Sequence, residues 1–456
     1  MGSGNFSARF FSHGSISSDT SNGVFPHESD YELLGAYLNS KIVALSLKIL
    51  NPTLNVQVGN LNSLPWKRDI QAEYKSNIID NALSAKEISE KDWYTLETSW
   101  NFPCSPLLHS DYRESRLKPT FDKLRAHCRE VTMEMQRLEE ENNHIFIESY
   151  GLQDELVPDV PLSEITLTCN PHYRYGGNKS EEELEALLLV DTIKELISYA
   201  VGCMMGRYSL DHSGLIYAHS GNKDFEEIYH RGDAEDAKSG ANNIPLRSLR
   251  LCGEFKPDDD GIVPVMDLDW FSDDATNRFI EFLKVAWSPQ TLEENLKFVA
   301  DSLNPKRGEQ PVETIRRYLS TNFFKDHLKT YKKRPIYWLF SSGKYKAFEC
   351  LVYLHRYNES TLSRMRSAYV TPLHGKFNAR MEYLRREINA LLPAPAPRKL
   401  QKDLDLLKKK QAELSAFDDN LRHYADMRIT LDLDDGVKVN YGKFGNLLAE
   451  VKTVTG

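Results

Sequence analysis

Six consecutive positions, KTYKKR from Lys329 to Arg334, carry four positive charges and run straight into the aromatic stretch PIYWLF. Cations packed this closely repel one another unless an anion lies against them, so the chemistry they offer is anion binding. The excess extends beyond the run, because residues 313–380 hold 14 Lys and Arg against four Asp and Glu, a balance of +10. Phosphate rewards Lys and Arg mixed with Tyr, Ser and Thr donors, and affinity built from such contacts falls steeply with salt. Lys329, Lys332, Lys333, Arg334, Arg356, Arg364 and Arg366 are the candidate phosphate ligands. Tyr331, Tyr337 and Trp338 can stack on bases, but a run such as PIYWLF is more often a buried strand. The competing reading of the whole segment is a solvated helix face followed by a core strand.

Catalytic patterns are absent by comparison. The chain has no G-x-x-x-x-G-K-[ST] loop, G-x-S-x-G elbow, H-E-x-x-H pair or G-x-G-x-x-G after a strand. Its 13 histidines are dispersed, and His355, beside Arg356 in YLHRY, reads as a structural residue or phosphate donor. The stretch CNPHY, with Asn170 to Tyr173, resembles the Asn-Pro-Pro-aromatic loop by which amino-methyltransferases hold an extruded adenine. His172 replaces the second proline and no glycine-rich loop precedes it, so the segment reads as a turn. The acidic stretch GEFKPDDDGIVPVMDLDWFSDD lacks the order of a calcium loop and reads as turn and cap residues.

At 456 residues the chain has room for two or three domains. A net charge of -9 excludes uniform attraction to polyanions, so any such binding must come from a local patch. The six cysteines lie at least 24 residues apart without zinc or redox spacing and read as reduced, mostly buried thiols. No apolar run approaches a membrane span and the start lacks signal-peptide order, so the expected compartment is the cytoplasm, with no membrane partner.

The elements that must position these residues are mostly helices. Residues 1–28 read as short strands and loops. Ser29 and Glu32 have capping-box spacing, and Leu34, Tyr37, Leu38, Ile42, Leu45 and Ile49 predict one helix ending at Asn51-Pro52. Leu54, Val56 and Val58 alternate as in a strand. Between 113 and 149, Leu117, Phe121, Leu124, Cys128, Val131, Met135 and Leu138 form a heptad seam, with Pro119 marking a start or a kink. Helical patterns cover 180–203, 274–285 and 311–331. Phe377, Met381, Leu384, Ile388 and Leu391 form one stripe, and Leu400, Leu404, Leu407, Leu414 and Leu421 another, on either side of PAPAP at 393–397. They predict an antiparallel helical hairpin, a rigid spacer unless each stripe packs on a globular core. TLDLDDGVKVNYGKF predicts a β-hairpin turning at Asp435-Gly436.

Several long blocks carry a family resemblance: SGNFSARF, LLGAYLNSKIVALSLKILNPTLNVQVGNLNSLPW, KDWYTLETSWNF, YGLQDELVPDVPLSEITLTCNPHYRY, ISYAVGCMMGRYSLD, KDHLKTYKKRPIYWLFSS and LVYLHRYNESTLSRMR. In order, and over nearly the whole chain, they resemble the C-terminal portion of PglX, the adenine-specific DNA methyltransferases of BREX phage-defence systems. The resemblance implies methyl transfer from S-adenosylmethionine to adenine N6 in a short DNA site. It also implies that the catalytic domain lies upstream, leaving a truncated gene, a split subunit or a fragment that binds no cofactor itself. The implied organisation is α+β, mainly α-helical. Residues 1–66 would end a target-recognition domain, 67–160 form a helical connector, 161–375 a mixed, mainly helical domain with the basic block, and 376–456 a helical hairpin and tail. Asn5, Ser7 and Arg9 become candidates for base contacts, since Arg can pair with guanine and Asn with adenine. Double-stranded DNA, the missing catalytic half and other BREX proteins are the implied partners. The alternatives are a non-enzymatic scaffold assembling defence proteins without DNA contact, and a nuclease, which finds no cluster of carboxylates with an adjacent Lys.

Overall fold

The computed structural model describes residues 6–10, 22–27, 30–51, 56–67, 69–217, 255–390 and 398–456. Asn5, Ser29, Leu54, Cys252, Leu391 and the PAPAP segment lie outside the described residues. The described chain is mainly helical with one small antiparallel sheet, the α+β class expected from the sequence. It divides into two compact units, Met1–Leu96 with Lys123–Leu188, and Glu97–Asp122 with Leu189–Gly456.

The first unit is helical. The single helix expected after residue 30 is two, Tyr31–Leu38 and Lys41–Leu50, because Asn39 and Ser40 interrupt it. The Asn39 side chain bonds the backbone of Ala8 and Gly35, and Ser40 caps the second helix by accepting the Val43 N–H. Leu33, Tyr37, Ile42, Val43 and Leu47 pack with Ile78, Ile145, Phe146 and Ile147, whereas Ile49, part of the expected stripe, is exposed. Gly35 lets the Phe10 ring approach the helix, since a Cβ would meet the ring edge at 2.2 Å and push it aside. The strand expected across 54–58 does not form in its described part: Val58–Asn62 is helical, with Asn60 Oδ1 accepting the Gln57 N–H at 2.9 Å. Polar Gln and Asn here serve a helix cap better than a ladder. The heptad seam is the helix Leu117–Tyr150, and Pro119 falls in its first turn, where a missing N–H costs nothing. Among the described residues no single helix is long and apolar enough to cross a membrane. Tyr31–Leu38 and Lys41–Leu50 reach that length only as a pair bent by 61°.

The second unit is built on three strands in the order β1-β3-β2, where β1 is Ile262–Pro264, β2 is Tyr337–Ser341 and β3 is Glu349–Tyr353. β3 is central and antiparallel to both neighbours, with Tyr337 opposite Tyr353 and Ser341 opposite Glu349. PIYWLF is therefore a core strand, with Trp338 packed against Tyr441 and Phe444. Helices Thr371–Ala390 and Arg398–Asp426 form the expected pair. Arg366 meets Asp418 while His374 meets Gln411, so the two run antiparallel. They also pack on the core around the sheet, through Phe377 on Trp270 and Phe417 on Phe348. The β-hairpin expected at Asp435-Gly436 is instead a 3-10 turn, Leu433–Asp435, followed by helix Gly436–Gly442. Buried Asn440 decides this, since its amide accepts the Asp432 N–H and donates to Gly436 C=O.

Candidate nucleic-acid interface

Helix Phe323–Thr330 buries Phe323, Phe324, His327 and Leu328 and leaves Lys325 and Lys329 exposed, one apolar face and one charged face. Its end is fixed from inside, because the Tyr331 hydroxyl donates to the Glu97 carboxylate at 3.0 Å. The chain then reverses. Lys332 and Lys333 have φ of +49° and +64°, and Arg334 N–H donates to Tyr331 C=O at 2.9 Å. Two successive left-handed residues inside such a bond make a type I′ geometry that normally selects Asn-Gly. A left-handed lysine costs roughly 1–2 kcal/mol, so the surroundings must impose the shape.

His327 imposes much of it. Its Nε2 accepts the backbone N–H groups of both Ile336 and Tyr337 at 3.1 Å, tying the helix before the turn to the strand after it. Burial, with the Arg207 charge second, pushes the imidazole down to about 3, so it is neutral and can accept. Lys333 N–H adds a bond to Leu328 C=O at 2.7 Å. Beneath the turn, Arg207 donates to the Tyr208 and Tyr353 hydroxyls at 3.0 and 3.1 Å. The result is a rigid turn whose side chains Lys332, Lys333 and Arg334 are exposed, with no hydrogen-bond or ion-pair partner among the described residues. Lys329 and Arg364 are exposed and unpartnered in the same sense.

Other members of the basic excess are engaged within the fold. Arg356 lies at the same end of the sheet as the turn, since Leu354 N–H donates to Ile336 C=O. Its guanidinium donates to the Asp258 and Asp259 carbonyls at 2.7 and 2.9 Å. Arg366 grips Asp418 with two bonds of 2.7 and 3.0 Å. Arg316 pairs with Asp274, which is almost wholly buried and caps helix Ala275–Ala286. In the first unit Ser7 is exposed, and Arg9, also exposed, donates to Thr166 Oγ1 at 2.9 Å.

Asn170 has no amide group to spare for a base. It is fully buried, donates to Leu162 and Ile165 C=O at 2.8 Å, and accepts the His172 N–H as the cap of helix Pro171–Tyr175. The acidic stretch behaves as turn and cap chemistry, with Asp258 accepting three successive N–H groups from Asp260, Gly261 and Ile262. Among the described residues, no group of three or more His, Cys, Asp or Glu is arranged to hold a metal. Sequence reasoning passed over His327 and Arg207, whose roles come from burial and carry no motif.

No protein-family model matches the chain. It is 45% identical to an adenine-specific methyltransferase, BrxX, of Escherichia coli O9:H4 (strain HS) over 460 aligned residues, covering 99% of this chain and 36% of that protein. It is 33% identical to an adenine-specific methyltransferase, PglX, of Lacticaseibacillus casei (strain Zhang), over 97% of this chain and 34% of that protein. The chain is thus homologous along almost its whole length to part of two adenine-specific methyltransferases, and it spans about a third of the length of these relatives.

Proposed function

We propose that this chain is the DNA-recognition and C-terminal portion of a site-specific adenine N6-methyltransferase of a BREX phage-defence system, with methyl transfer carried out by protein outside this chain. The observation that carries the DNA reading is the Lys332–Arg334 turn. It presents three cations that have no partner among the described residues, on a backbone fixed by His327, and preorganised cations lose little entropy on meeting phosphate. Lys329 extends the grip along the preceding helix. Ser7 and Arg9 are the described candidates for base contacts, although Arg9 must first release Thr166. S-adenosylmethionine would serve the complete enzyme. The engaged amide of Asn170 offers no cradle for an extruded adenine, so no step of the transfer is assigned to these residues.

Binding of the purified chain to a labelled duplex over a range of salt tests this reading. If about six phosphates are neutralised, log affinity falls with log salt at a slope of roughly five. A scaffold that docks apolar surfaces would show little salt dependence, and the 93% exposure of Trp100 is the feature that favours that second reading. Methyl incorporation by the isolated chain supplied with S-adenosylmethionine would overturn the assignment of catalysis elsewhere.

A further inference from the structure

Cys128 lies on helix Leu117–Tyr150, and Cys169 on the segment leading into the Asn170 cap, 41 positions later. Nothing in their spacing suggests a pair, yet the fold of the first unit sets Cys169 against the face of the long helix that carries Arg125, Cys128 and Val131. The meeting is held by the backbone. The Asp92 carboxylate accepts the N–H groups of Thr168 and Cys169 at 2.7 and 3.0 Å, and Arg125 Nη1 donates to the Cys169 C=O at 3.5 Å. Cys169 also packs on the cluster that includes Val131, one turn along the helix from Cys128. Both residues are partly exposed, whereas Cys104, Cys203 and Cys350 are buried.

We propose that Cys128 and Cys169 form a redox-active dithiol that closes to a disulfide on oxidation by a peroxide, cross-linking the long helix to the Asn170 segment. The surroundings make the two sulfurs unequal. The bond from the Cys169 thiol, together with the Arg125 charge, lowers the Cys128 thiol, while its bond to Cys128, burial and the Asp92 charge raise Cys169. The Arg125 charge acting on Cys128 and the Asp92 carboxylate held against the Cys169 backbone make Cys128 the attacking thiolate and Cys169 the resolving thiol. The Cys128 thiolate attacks one peroxide oxygen, the O–O bond breaks, and the sulfenic acid forms as hydroxide leaves. The Cys169 sulfur then attacks the sulfenic sulfur, the S–S bond forms, and water departs with the Cys169 proton. Two thiols are oxidised by two electrons and one hydrogen peroxide is reduced to two waters.

The test is mass spectrometry of the full 456-residue chain, treated with graded hydrogen peroxide, alkylated and digested without reductant. The expected product is a peptide joining Cys128 to Cys169 at the lowest oxidant doses, before any other cysteine reacts, and reversed by dithiothreitol. In Cys169→Ser a sulfenic acid trappable by dimedone should persist on Cys128, while Cys128→Ser should give neither product. Thermal melts of both variants show whether they remain folded. Free, alkylatable Cys128 and Cys169 in the wild-type chain at doses that oxidise buried cysteines would overturn the proposal.

Discussion

His327 accepts the Tyr337 backbone N–H at 3.1 Å and stacks on the Tyr337 ring with centroids 4.8 Å apart. One side chain therefore joins the helix before the basic turn to the first residue of β2. The bond requires neutral imidazole. The folded value near 3 lies below the ordinary 6.5, so the unfolded chain takes up the proton first as pH falls. The contribution is intact above about pH 6.5 and is lost progressively as pH drops toward 3. Between pH 7 and 4.5 the wild type should lose about 2–3 kcal/mol more stability than His327→Gln, whose amide oxygen accepts without titrating. Urea unfolding of both proteins at the two pH values measures this.

The left-handed backbone at Lys333 gives a second expectation. Lys333→Gly relieves a strained φ of +64° and should stabilise the protein by roughly 0.5–1 kcal/mol, although it removes a charge from the surface. Thermal or urea unfolding reads the gain. The same variant should bind duplex DNA more weakly, separating stability from affinity.

Engaged and unpartnered arginines should behave oppositely. Arg366→Ala breaks a two-bond contact to Asp418, and Arg356→Ala leaves the partly buried Asp258 carbonyl without its donor, so each should cost on the order of 1 kcal/mol of stability. Arg364→Ala should change stability by less than about 0.5 kcal/mol and weaken DNA binding. Melting curves set beside binding isotherms for the three variants decide the matter.

The pair Arg316 and Asp274 is nearly dry, with side chains 9% and 1% exposed. Burial raises the Asp274 carboxyl while the Arg316 bond opposes it. Arg316→Ala leaves that carboxylate without its counter-charge and should destabilise by about 3–5 kcal/mol. Adding Asp274→Asn, which keeps a helix cap without the charge, should recover part of the loss, as a double-mutant cycle by urea unfolding would show.

Periodic features were legible in the sequence. The helix Leu117–Tyr150, the pair Thr371–Ala390 and Arg398–Asp426, and the strand in PIYWLF follow from apolar spacing or β-rich composition, and the family blocks agree with the relatives found. The failures fall where one polar side chain overrides a pattern. Ser40 and Asn39 split a helix that hydrophobicity alone would continue, and Asn440 turns the Asp-Gly hairpin signal into a helix start. The candidate site was legible as charge only. Which cations are engaged depends on partners far away in sequence, such as Asp418 for Arg366, and a local count cannot reveal them. The His327 clamp was hidden for the same reason, since it joins groups through the fold.

The most direct measurement compares the salt dependence of duplex binding for the wild-type chain and a Lys332→Ala, Lys333→Ala, Arg334→Ala triple variant of equal thermal stability. Loss of three phosphate contacts should weaken binding at low salt and reduce the slope of log affinity against log salt by about three. An unchanged slope and affinity in the variant, or no duplex binding by a folded wild-type chain at any salt, would contradict a phosphate grip at this turn.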